Sequence, residues 1–162
     1  QNRIDNSTQD DTLEMYRKLG THRRKSADGK YIIDTPTYNK ITKPVVRQGA
    51  DIRIAEGKVL ERMNKQNASA VTYGDVIFLL PDATVSDVLE ETYHFLQNRR
   101  GTNRQYSNLQ RTILNEIDAK EYLLSMTEKY KIPVEEVELT RHQLANYKNQ
   151  MEQLKKRGEW HD

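Results

Sequence analysis

The chain has 162 residues and a mass of 19.0 kDa, with 35% apolar and 31% charged residues, so a lean core and long polar helices are expected. It contains no cysteine, which excludes a disulfide framework and a thiolate zinc site, and any metal would have to sit on His, Asp or Glu. No apolar run approaches the roughly 18 to 20 residues that cross a bilayer, so no membrane span is expected, and no signal peptide is visible. The first residue is Gln rather than Met, which suggests a processed product or a domain cut from a longer protein. The expectation is a soluble chain of unassigned location, with delivery or secretion as part of a larger protein one option.

The net charge of +2 is spread unevenly, with 14 Lys/Arg against 10 Asp/Glu in residues 1–81 and 12 against 14 in residues 82–162. Residues 1 to about 30 are polar, with one short amphipathic helix predicted around Asp11 to Leu19. The basic patch formed by Arg17, Lys18, Arg23, Arg24 and Lys25 could meet phosphate, but without interleaved aromatics it makes only a weak case for nucleic acid. Residues 31–47 read as extended and irregular, because Pro36 and Pro44 bias the residues before them away from helix. On this basis residues 1–44 form a polar arm and extended lead-in, and residues 45–162 a single domain.

From Ala50 to about Gln66, the recurrence of Ile52, Ala55, Val59, Leu60 and Met63 predicts an amphipathic helix. Ala70 to Tyr73 and Val76 to Leu80 read as two strands around a Gly74-Asp75 turn, giving a small antiparallel sheet. A helix capped by Thr84 or Ser86 then runs to about Asn98, followed by a polar loop over residues 99–107 that contains Gly101. Leu109, Ile113, Ile117, Tyr122, Leu123 and Met126 stripe a long helix that ends before Ile132-Pro133. The last helix starts at Val134 or Glu135 and runs toward Gly158. The predicted fold class is α+β and helix-dominated, with a small antiparallel sheet and two long C-terminal helices.

The residues that carry chemistry sit on the helix after Pro81. Glu90, His94 and Gln97 stand at i, i+4 and i+7 and share one stripe, with Glu91 one step round. That is the spacing of a metal site or an acid/base site. Without cysteine, zinc needs about three ligands from imidazole and carboxylate, and Glu90 and His94 supply two from adjacent turns. Glu116, which lies 22 residues after His94 on the next helix, is the candidate third ligand, with Glu121 in reserve. Glu91 is the candidate catalytic general base, taking a proton from the attacking water. Tyr93, Gln97 and Glu121 are candidates for a supporting layer around the metal, Tyr93 also as an oxyanion stabiliser. Against this stands a purely structural role, since Glu-Glu pairs are common on exposed helix faces and a lone His is more often a satisfied packing residue.

The order helix, short sheet, Glu-x-x-His helix and Asn-Glu helix over residues 45 to 132 resembles the minimal core of zincin metallopeptidases. Glu90-Glu91-Thr92-Tyr93-His94 stands where their His-Glu-x-x-His signature stands, and Glu116 stands at their downstream ligand. It also resembles the zincin-like domains of polymorphic toxins and phage head-associated proteins, which carry Glu-Glu-x-x-His-x-x-Gln. The resemblance implies metal-dependent peptide hydrolysis by a toxin-like effector domain, with zinc as the first candidate metal, a protein or peptide substrate and a cognate immunity protein. Glu90 departs from the usual His. Carboxylate-rich ligation admits manganese or iron and leaves a catalytically degenerate scaffold, a phage- or secretion-associated binding module, as the rival expectation.

Other chemistries fail on count. A di-iron bundle needs a second Glu-x-x-His, and the nearest pair, Glu138 and His142, is spaced at four rather than three. No serine has an acid–base partner in view, and no glycine cluster could cradle phosphates.

Overall fold

In the computed structural model, which describes residues 20–162, Asp34 opens the first helix among the described residues. The predicted helix at Asp11 to Leu19, and Arg17 and Lys18 of the basic patch, lie outside these residues. In α1 (Thr35–Arg47) the Asp34 carboxylate accepts from the Thr37 backbone N–H at 2.9 Å, from the Thr37 hydroxyl at 2.8 Å and from Arg23 Nε at 3.1 Å. The extended conformation expected for residues 31–47 is therefore overturned from Thr35 onward. Pro36 falls in the first turn, where a missing N–H costs nothing, and burial of Tyr38, Ile41 and Val45 along one face offsets the hydrogen bond that Pro44 removes.

A second correction concerns residues 50–66. They form β1 (Asp51–Ile54) followed by α2 (Gly57–Lys65) rather than one helix. Apolar spacing over Ile52, Ala55 and Val59 satisfies a helical period, yet Ile52 is buried as a strand residue and β1 pairs with a strand that comes later in the chain. Local periodicity carries no information about such a partner. Gly57 stands at φ +57°, a conformation that favours glycine, where the strand gives way to the helix.

The expected hairpin is present as β2 (Ala70–Tyr73) and β3 (Val76–Leu79), antiparallel with Ala70 opposite Leu79 and Tyr73 opposite Val76. Gly74 takes φ +60° in the two-residue turn, as a primed hairpin turn requires. β1 joins β3 in parallel, Asp51 opposite Val76 and Ile54 opposite Leu79, so the three-stranded sheet is mixed, in the order β1-β3-β2. Three helices follow: α3 (Val85–Arg100), α4 (Asn108–Ser125) and α5 (Val134–Lys156), each within a few residues of its expected bounds. The architecture is α+β and helix-dominated.

Two compact units divide the chain, one ending at Leu96 and the other running from Gln97 to Asp162, so α3 contributes to both. The first has a core of Ile33, Tyr38, Ile52, Met63, Ile77, Leu79, Val88, Leu89 and Phe95, each 2% exposed or less. In the second, Ile113, Ile117 and Leu154 pack with Leu144, Tyr147, Met151 and Trp160, which clamps α4 to α5. Among the described residues, no helix is long and apolar enough to cross a membrane.

Candidate metal centre

The start of α3 is fixed by a reciprocal cap. Thr84 Oγ1 accepts from the Asp87 backbone N–H at 3.1 Å, and the Asp87 carboxylate accepts from the Thr84 backbone N–H at 2.9 Å. Thr84 is thus the cap, rather than Ser86. Burial is the main influence on Asp87 and pushes its carboxyl up to about 6; the Thr84 hydrogen bonds oppose this, the Glu90 charge adds to it and Lys30 opposes it.

With its start pinned and Val85, Val88, Leu89 and Phe95 buried, α3 holds a fixed rotation about its axis. Thr92 is buried within the helix and satisfies its hydroxyl on the Val88 and Leu89 carbonyls. Glu90 and His94 share a partly covered stripe, their side chains 17% and 15% exposed, with His94 Nε2 3.7 Å from Glu90 Oε1. That separation exceeds hydrogen-bond range. Two donors on one tetrahedral zinc stand about 3.4 Å apart at ordinary bond lengths, so the pair is spaced close to co-ligands.

Glu116 comes from α4, whose first turn is capped by the Ser107 hydroxyl accepting from the Gln110 backbone N–H. Ile113 and Ile117 are buried on either side of it in sequence. One donor atom from each of Glu90, His94 and Glu116 lies within 4.8 Å of the other two, and this group could hold a metal ion. Two carboxylates and one imidazole form a hard-to-borderline donor set that fits a divalent cation and leaves coordination positions open. At up to 4.8 Å the full group is looser than a closed shell, and small side-chain rotations would be needed to close it.

Glu91 lies outside this group. Thr72 Oγ1, on β2, stands 3.1 Å from both a Glu91 carboxylate oxygen and the Glu91 backbone carbonyl, so the hydroxyl is shared between them and ties the side chain to the sheet. Gln97 is buried and donates from Nε2 to the Asn115 carbonyl at 2.9 Å, next to Glu116 in sequence. Tyr93 is half-buried beside His94. Glu121 is exposed, with a carboxylate oxygen 3.4 Å from Lys148 Nζ.

Sequence inspection missed three residues here. Lys120 is buried, its Nζ 3.6 Å from Glu116 Oε2. The Glu116–Lys120 spacing of four was legible; the burial of the lysine was not, because Lys is rarely covered unless paired. Thr72 and Asp87 were legible only as a strand residue and a cap acceptor.

In the basic patch, Arg23 is engaged with Asp34 and Lys25 stacks over Tyr31, its Nζ 5.3 Å from the ring centre. Comparison of the chain with family models, with curated proteins and with solved structures returned no match.

Proposed function

We propose that this chain is a metal-dependent peptide hydrolase of zincin-like type. The observation that carries the proposal is the convergence of Glu90, His94 and Glu116, two helices supplying three donors of the right chemistry in a partly covered position. A divalent cation held there would polarise a scissile carbonyl and acidify water, zinc first, with manganese or iron also compatible with the donors. Glu91, one residue from Glu90 and steadied by Thr72, accepts the proton of the attacking water. The same Thr72 lies on β2, an edge strand, and an extended peptide could pair with its outer backbone edge. That juxtaposition favours a peptide over other hydrolysable substrates. The toxin-like setting, with a cognate immunity protein, rests on the Glu-Glu-x-x-His-x-x-Gln resemblance alone.

Lys120 favours a second reading. Its buried ammonium beside Glu116 provides positive charge without any metal, as a degenerate scaffold that acts by binding would require. The two readings part on Glu91→Gln, assayed on a peptide library with the protein loaded with zinc or manganese. The hydrolase reading expects metal content near wild type and turnover reduced by about two orders of magnitude or more. Undiminished turnover would remove Glu91 from the mechanism, and absence of turnover in wild type with every metal would favour the scaffold.

A further inference from the structure

Between Gln97 and Asn115 the sequence has four arginines and no Asp or Glu. The structure gathers all four, Arg99, Arg100, Arg104 and Arg111, around one pocket of about 290 Å³ whose wall also includes Gln97, Thr102 and Asn115. No carboxylate among the described residues forms an ion pair with any of these arginines. Two of them have an ordinary explanation. Arg99 and Arg100 occupy the last turn of α3, where cations complement the negative end of the helix dipole. Arg104 lies in the connecting loop, and Arg111 lies near the start of α4, where a cation opposes the dipole and no acid stands in the first turn. The last turn of α3 offers only the partial negative charge of its dipole, and four guanidinium groups with no carboxylate counter-charge in the lining leave the pocket short of an anion.

The pocket wall is built by hydrogen bonds. The Thr102 backbone N–H donates to the Gln97 carbonyl at 3.0 Å, and the Arg104 N–H to the Gly101 carbonyl at 3.1 Å. Asn103, at φ +61°, donates from Nδ2 to Asn115 Oδ1 at 2.9 Å, and Gln97 donates to the Asn115 carbonyl at 2.9 Å. The arginine-bearing loop is thereby tied to the helices before and after it, so little ordering is needed when a ligand enters.

We propose that this pocket binds a small phosphorylated ligand with at least two linked phosphates, of the pyrophosphate or nucleoside diphosphate class. Guanidinium forks match phosphate oxygens, and four of them exceed what a single phosphate or carboxylate needs. The volume is at the small end of ligand pockets, which fits a compact polyanion better than a large organic molecule. The assignment does not depend on the metal centre.

Inorganic pyrophosphate is the probe, titrated calorimetrically into the full chain in metal-free buffer at low salt. Stoichiometric, saturable binding is expected, weakened about tenfold or more by Arg104→Gln and by Arg111→Gln, and unchanged by Arg141→Gln on the exposed face of α5. Circular dichroism confirms that each variant is folded, and Arg111→Gln keeps the test intact if Arg104→Gln disturbs its contact with Gly101. No saturable binding, or equal weakening by Arg141→Gln, overturns the site. Tighter binding of an eight-nucleotide single-stranded DNA than of pyrophosphate, lost in the same variants, overturns the small-ligand assignment.

Discussion

Asp87 carries two opposed demands: its carboxylate caps α3 through the Thr84 N–H, yet burial and the Glu90 charge resist its ionisation. Its pKa in the folded chain, about 6, lies above the ordinary aspartate value of 3.8, so between these values the native state holds more protons than the unfolded one. Stability from this group is therefore fully present below about 3.8 and is lost as pH rises through about 6. Asp87→Asn, which keeps an acceptor for the Thr84 N–H, should flatten that slope. Urea unfolding at pH 4.5 and pH 7 in metal-free buffer checks this, and an unchanged slope in the variant would assign the pH dependence elsewhere. Of the site residues, Glu90 and His94 were legible because a helix of known start brings i and i+4 together. Glu116 was legible as the next carboxylate at ligand-like spacing on the following helix. The engagement of Glu91 by Thr72 was not, because it joins positions 19 apart through a sheet whose register no local pattern encodes.

At the scale of elements, α4 and α5 behave as their periodicity predicts, since each buries one stripe against the other and needs no distant partner. Ile113, 1% exposed, is central to that contact. Ile113→Ala should cost about 2 to 5 kcal/mol, read as a lowered denaturation midpoint. A loss under about 1 kcal/mol would mean that this core collapses around the cavity. α1 and β1 depart from their local sequence patterns for different physical reasons. Pro36 and Pro44 suppress a local helix signal that the Asp34 cap and the burial of Tyr38 and Val45 restore. β1 imitates a helical repeat over a short window, and only its parallel pairing with β3, reached after α2 and β2, makes it a strand. Parallel partners separated by a crossover are the contacts that composition conveys least.

For the molecule as a whole, the absence of cysteine restricts metal chemistry to oxygen and imidazole donors, and among the described residues Glu90, His94 and Glu116 form a group of such donors that could hold an ion. Metal binding to the folded state alone should raise stability by about 2.7 kcal/mol when free metal stands at a hundred times its dissociation constant. The thermal midpoint should therefore rise with added zinc or manganese and fall back with chelator. A network completed by Lys120 instead would give a midpoint indifferent to both. The arginine pocket, held within the second unit, should respond to pyrophosphate with or without metal, which keeps the two sites separable in the same scan. The most direct measurement is elemental mass spectrometry of the protein purified without chelator and after reconstitution, comparing wild type with His94→Ala. One metal per wild-type chain, lost in His94→Ala, is the predicted result. No bound metal in either protein after reconstitution would contradict the proposed centre.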